Sequence, residues 1–401
     1  MDAYIVDAVR TPRGKASPKG SLRSVKPVKL LDPLYKALQE RNQLDTQEVE
    51  DILLGCVTQT GEQGADIAKI SALYAGWSEH ISGTTLNRFC ASGLDAIHLA
   101  ASKVHSGMED LLVSGGVESV SRVPMFSDKG AWFADPEVNK ATRFVHMGIS
   151  GDLIANLEGF SRQELDEYAI RSQQRAAKAT EAGYFSPSLI PIRDSEGNAL
   201  LTKDELIRGS STTEQLAEFP PTFEKIDPQG AQYRALKRYP ELKAFEFLHH
   251  KGNSPALADG AALLLLANKA KAQELQLPIR ARILSFANCS VEPILMLTGG
   301  QLAVQKALKK AGLSPQDIDL FEFNEAFAAT VLKFQRDLNI DPEKLNPNGG
   351  TIAMGHALGA TGGMLMATLL DELERRELRY GVVAISGGAG VGAATVIERI
   401  S

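Results

Sequence analysis

Cysteine is scarce in this chain. Cys56, Cys90 and Cys289 are the only three in 401 residues, too few and too scattered for a disulfide framework or a zinc site. A reducing compartment is therefore expected. Charge of one sign is also lacking: 43 basic side chains face 49 acidic ones, for a net charge of −6. That balance gives no electrostatic reason to expect nucleic acid or an anionic membrane as partner. Long apolar runs are missing too, since the longest, 261–267, falls far short of the roughly 20 residues of a membrane-spanning helix. The opening Met1-Asp2-Ala3-Tyr4-Ile5-Val6 reads as a strand, with no charged leader, apolar signal region or Arg/Ser-rich transit segment. A cytoplasmic protein is expected.

What the chain does have is alternation. Strand-like runs at 4–9, 49–57, 85–89 and 110–114 alternate with helical patterns at 28–42, 66–75 and from 91 onward. The pattern resumes with a strand at 283–287, a helix at 299–312, a strand at 320–323, a helix at 324–338, a helix from 360 and a strand at 382–386. This predicts an α/β sheet with helices on both faces. Between 120 and 251 the texture changes to mixed prolines, charges and aromatics around one strong helix. That helix is announced by the capping box Ser161-Arg162-Gln163-Glu164 and stopped near Gly183. The middle therefore reads as an insertion. The flanking parts resemble each other: Cys90-Ala91-Ser92-Gly93 leads to Ser114-Gly115-Gly116, and Gly359-Ala360-Thr361-Gly362 leads to Ser386-Gly387-Gly388. A duplicated α/β half accounts for both.

Cys90 is the most informative residue. The segment Asn87-Arg88-Phe89-Cys90-Ala91-Ser92-Gly93 runs into an apolar helical pattern, so the thiol is expected at a helix N-terminus, where the dipole and free amides favour thiolate. A lone cysteine is more often a small buried hydrophobe, and that is the expectation for Cys56; Cys289 has no motif around it. Far downstream, Gly355-His356-Ala357 offers a base whose reference pKa of about 6.5 suits neutral pH. Cysteine, histidine and glycine-rich turns together point to acyl transfer through a thioester. His249 and His250 are expected to be ordinary hydrogen-bonded histidines.

Four segments, in order, resemble those of the thiolase family of acyl-CoA enzymes. They are Asn87–Gly93, Ser114–Ser121, Asn324-Glu325-Ala326-Phe327-Ala328, and Asn346-Pro347-Asn348-Gly349-Gly350 continuing through Gly355–Gly362. Arg10-Thr11-Pro12-Arg13-Gly14 fits as well, and Leu54-Gly55-Cys56-Val57 is most similar to the thiolases of the trifunctional β-oxidation complex. The resemblance implies a five-layered αβαβα fold made of two halves. These would be 1–120 with 252–278, carrying the nucleophile, and 279–401, carrying the histidine, with a loop domain at 121–251. It also implies a homodimer or dimer of dimers, with a possible β-oxidation hydratase/dehydrogenase subunit as partner. CoA and acyl-CoA would be substrates, with no metal or redox cofactor.

Residue by residue, the resemblance makes Cys90 the nucleophile and His356 its proton acceptor. Asn324 would hold a water that forms one oxyanion hole with His356, although an asparagine before an apolar helix is also a natural N-cap. The amides of Cys90 and Gly388 would form the second hole. Glu325 would orient its neighbours, while His146, Met147 and Ser254 would line the pantetheine and acyl tunnel. Three departures stand out. Ser386 occupies the place of the family's second cysteine, which moves the substrate or CoA proton, and serine is a far weaker acid. Ala357 replaces the proline after the histidine, and Pro255-Ala256 replace a Ser-Gly pair. The leading expectation is thiolysis of 3-ketoacyl-CoA, or the reverse condensation. The alternatives are a specialised or impaired acyltransferase, motivated by Ser386, and a non-catalytic CoA-binding scaffold.

Overall fold

The computed structural model describes residues 2–226 and 230–400. Its principal elements begin with β1 (Tyr4–Arg10), α1 (Pro27–Asn42), β2 (Asp51–Gly55), α2 (Ile67–Tyr74), β3 (Ser82–Leu86), α3 (Ser92–Ser106) and β4 (Leu111–Ser119). Two long helices follow, α4 (Met147–Glu158) and α5 (Arg162–Glu181). The remainder comprises β5 (Ala258–Ala267), β6 (Ala281–Ser290), α6 (Gly299–Ala311), β7 (Leu320–Phe323), α7 (Ala328–Asp337), α8 (Thr361–Arg375), β8 (Tyr380–Ser386) and β9 (Val391–Arg399).

The strands run in the order β7-β8-β9-β6-β1-β5-β4-β2-β3. This sheet is two sheets joined at a seam, because β1 meets β6 only at Tyr4–Arg282 and Ile5–Ala281. Each side repeats one pattern. β1, β5 and β4 are antiparallel neighbours and β4 is parallel to β2; β6, β9 and β8 are antiparallel neighbours and β8 is parallel to β7. The duplication extends to β3, whose counterpart is a single parallel bridge between Phe321 and Leu345.

Burial follows from the layering. Every residue of β5 is buried, as expected of a strand covered on both faces. Leu263 and Leu265 enter the cluster formed with the leucines of α1, while Leu264 and Leu266 enter the one formed with α3 and α8. Those two helices form the central layer of the expected five, between the two halves of the sheet. They approach at their N-termini, where side chains would collide: a Cβ on Gly93 would lie 2.4 Å from the Gly359 carbonyl oxygen, and one on Gly362 would lie 2.2 Å from the Leu94 nitrogen. Glycine at both positions lets the two motif-bearing turns meet.

Several boundaries differ from expectation. The third strand spans Ser82–Leu86, because residues 87–91 form a tight turn. The helix expected over 324–338 begins at Ala328, since the first residues of that segment are held by side-chain bonds. The insertion holds a second long helix, α4, which was missed because a glycine-bearing sequence, Met147-Gly148-Ile149-Ser150-Gly151, has low helix propensity. Burial against α7 and the core compensates. The Ser161/Glu164 capping box is present. Buried Arg10 of β1 clamps Asp204, in the segment expected to be an insertion, with two bonds of 3.0 Å. No described helix is long and apolar enough to cross a membrane.

Candidate active site

The turn before α3 is fixed by its own polar side chains. Asn87 Oδ1 accepts from the Phe89 amide at 2.7 Å, and Ser92 Oγ accepts from the Arg88 amide at 2.8 Å. They hold Phe89 at φ +50°, a left-handed conformation that costs a non-glycine residue on the order of 1–3 kcal/mol. The strained turn presents Cys90 to a cavity of about 340 Å³. His356, Ser386 and Gly388 line the same cavity, together with His146, Met147 and Ser254. Six residues expected at the site from widely separated segments thus join Cys90 in one wall. Asn324 is the exception: it lies behind this wall, fully buried.

The Cys90 thiol does not rest as the thiolate expected from its place at the helix mouth. Burial pushes its pKa up to about 12, outweighing the opposing backbone N–H groups of Cys90 itself and Gly388. His356 is driven the other way, to about 3, by burial and by the charge of Arg13. At neutral pH the pair is therefore thiol and neutral imidazole. His356 Nδ1 is 2.8 Å from Thr361 Oγ1; with Nδ1–H donating, Nε2 carries the lone pair, and Nε2 is buried without a partner. The sequence marks Thr361 only as a helix start, opening α8 where Ser92 opens α3; its bond to the His356 ring is a tertiary contact.

Asn324 is not an N-cap, because Phe327 occupies that place. Its Oδ1 accepts from Thr351 Oγ1 at 3.0 Å, and its Nδ2, a donor, is likewise buried without a partner. Glu325 orients its surroundings, accepting from Tyr168 (2.7 Å), Ser172 (2.8 Å), Asn346 (3.1 Å) and the Ile352 amide (2.8 Å). It thereby joins α5 to the histidine loop. Glu118, also missed, binds the amides of Val57 (2.9 Å), Thr58 (3.2 Å) and Gly359 (3.0 Å) and the side chain of Gln63 (2.9 Å). The available signal was its place in the Ser-Gly-Gly-Val-Glu strand motif.

Ser386 ends β8, and its Oγ accepts from the Gly300 amide at 2.9 Å, at the start of α6. A Cβ on Gly388 would lie 3.1 Å from both Phe89 and Trp132, so this turn is packed against the Cys90 segment. His146 Nδ1 accepts from the Gly148 amide at 3.1 Å and caps α4. Ser254 Oγ is buried without a partner in the cavity wall. His249 and His250 are structural, each 2.8 Å from a buried aspartate, Asp152 and Asp166 respectively. Cys56 is fully buried, and Cys289 lies against the Gly299 carbonyl at 3.1 Å. Among the described residues, no three His, Cys, Asp or Glu side chains group as metal ligands.

Comparison with known proteins agrees with this geometry. Residues 3–230 match the family "Thiolase, N-terminal domain" and residues 277–399 match "Thiolase, C-terminal domain". A 3-ketoacyl-CoA thiolase of Serratia proteamaculans is 41% identical over 100% of both chains. One from Aliivibrio fischeri is 40% identical over 99% of each. The crystal structure of the Bacillus anthracis acetyl-CoA acetyltransferase superposes with a TM-score of 0.86 at 32% identity, covering 100% of this chain and 99% of that one. With a twinned fold, a cysteine and histidine in one cavity, and family matches across both halves, this chain belongs to the thiolase family.

Proposed function

We propose that the protein is a 3-ketoacyl-CoA thiolase acting through an acyl-Cys90 intermediate. The observation that carries this is the shared cavity of Cys90 and His356, in which the sulfur is a thiol and the imidazole is free to accept its proton. His356 takes the proton as the sulfur attacks the C3 carbonyl. The C2–C3 bond then breaks, C2 takes up a proton and leaves as acetyl-CoA, and the acyl group remains on Cys90. The thiol of a second CoA attacks that thioester, and the departing Cys90 sulfur is reprotonated. The reading of one oxyanion hole in the Cys90 and Gly388 amides is supported by their effect on the sulfur. The second, from Asn324 and His356, is supported by their two orphaned nitrogens: Asn324 Nδ2 is a standing donor, and His356 Nε2 becomes one once it carries the Cys90 proton. Ser386 stands where C2 would be protonated; with its oxygen accepting from Gly300, its own proton is available, though weakly acidic.

His146, Met147 and Ser254 are proposed to contact the pantetheine arm, with the unpartnered Ser254 hydroxyl as one hydrogen-bonding group. The three-part division into 1–120 with 252–278, 121–251, and 279–401 is proposed on the same footing. A homodimer is supported by the half-exposed edge strand β3, flanked by exposed Ile70, Leu73 and Tyr74 of α2. Incubation with a 3-ketoacyl-CoA and CoA should consume the enolate absorbance, and mass spectrometry should find the acyl group on Cys90. Folded protein that turns over no 3-ketoacyl-CoA of any size would refute the proposal.

A further inference from the structure

Aromatic residues make up only 6% of this chain, yet six of them line the active-site cavity: Phe89, Phe126, Trp132, Phe133, Phe223 and Phe327. They are paired. Phe89 and Trp132 have ring centroids 4.9 Å apart, Phe126 and Phe133 4.3 Å, and Phe223 and Phe327 5.5 Å. Trp132, one of two tryptophans in the chain, is braced edge-on by Phe144 at 4.7 Å. The first pair touches the space above Gly388, beside the nucleophile. An aromatic wall therefore stands beside Cys90 and Gly388 and continues around the cavity.

Two polar groups of the lining, Ser254 Oγ and His356 Nε2, are buried without a partner and serve the pantetheine arm and the proton transfer in the proposed mechanism. Asn87 accepts from the Phe89 amide and donates to the Val57 carbonyl at 3.0 Å, while Asp128 is exposed. A carboxylate-bearing acyl group would thus meet, among the described residues, no lysine or arginine in the cavity lining and one acidic side chain, Asp128. The volume of about 340 Å³ lies near the lower end of small-molecule sites, and it must also admit part of a pantetheine arm. Ring faces and edges favour a further ring over an alkyl chain of equal area, since aromatic pairs gain beyond simple burial.

We infer that the preferred substrate is a 3-ketoacyl-CoA whose acyl group is compact, apolar and ring-bearing, in place of the methyl group of acetoacetyl-CoA or a long alkyl chain. This rests on the thiolase reading. The aroyl group moves from C2 to the Cys90 sulfur and then to the sulfur of CoA, and acetyl-CoA is released with the thiol proton on C2.

The test compares kcat/KM for 3-oxo-3-phenylpropanoyl-CoA, acetoacetyl-CoA, 3-oxohexadecanoyl-CoA and 3-oxoadipyl-CoA. The ring-bearing substrate should lead each of the others by about tenfold or more, the scale on which apolar pockets discriminate. Trp132→Ala should pull its ratio to acetoacetyl-CoA toward one. Phe133→Leu, a milder change in the same wall, should move that ratio in the same direction if the first variant does not fold. Acetoacetyl-CoA or the long-chain substrate used as well as the aromatic one would overturn the inference and leave the thiolase reading standing. Turnover of none of the four would overturn both.

Discussion

Cys90 and His356 are set by burial more than by their partners. With the thiol near 12 and the imidazole near 3, the resting site stores no ion pair, and in the proposed mechanism proton transfer accompanies attack on the carbonyl. A group titrating that high is almost wholly protonated from pH 7 to 9, and its thiolate fraction grows about tenfold per pH unit. Alkylation of Cys90 by iodoacetamide in the free enzyme is expected to follow that slope; a plateau below pH 8 would show a preformed thiolate. Ser386 carries the second prediction at this scale. A positioned acid or base is worth about 10²–10⁴ in rate, and a thiol there would sit at the same Gly300 amide that now holds the hydroxyl. Ser386→Cys is expected to raise thiolysis by at least tenfold, measured as kcat with a 3-ketoacyl-CoA. An unchanged kcat would place the proton transfer elsewhere.

At the scale of elements, the site is a junction of two helix starts with the strand ends beside them. α3 and α8 can bring Cys90 and His356 into one cavity because Gly93, Gly359 and Gly362 remove the side chains that would separate them. Glu118, at the C-terminal end of β4, then ties the Val57–Thr58 turn to Gly359 with three backbone bonds. Replacing it by leucine strands those buried amides, at about 1–3 kcal/mol each. Glu118→Leu is expected to lower the denaturation midpoint and kcat together. Full activity with lost stability alone would confine Glu118 to folding. Glu325 makes the corresponding link between α5 and the histidine loop, so the segment 121–251 helps to hold the His356 loop as well as to line the cavity.

The whole molecule is a twinned sheet with one seam and two edges, of which β3 is the half-exposed one. At the seam only two residue pairs join β1 to β6, and the central helices supply the remaining cohesion between the halves. At the half-exposed edge, β3 offers unpaired backbone groups beside apolar Ile70, Leu73 and Tyr74, and pairing with a second copy would satisfy both. Sedimentation velocity is expected to give a dimer or a multiple of it, with Leu73→Glu shifting the population toward monomer. A wild-type monomer at micromolar concentration would dismiss that assembly.

Local sequence determined a great deal by itself. Alternating strand and helix patterns placed most of the core elements, since amphipathic periodicity is a property of neighbouring residues. The Cys90 and His356 motifs, and the similar helix starts at Ser92 and Thr361, marked the site and its duplication before any contact was known. Tertiary structure alone decided what depends on distance and dielectric. It kept Cys90 a thiol, because a helix terminus is local and desolvation is not. It set Asn324 behind the cavity wall in place of an N-cap, through a bond from Thr351 that no spacing announces. It also gathered Phe89, Trp132, Phe223 and Phe327 around one space, because side chains far apart in the chain become neighbours only when the layers pack.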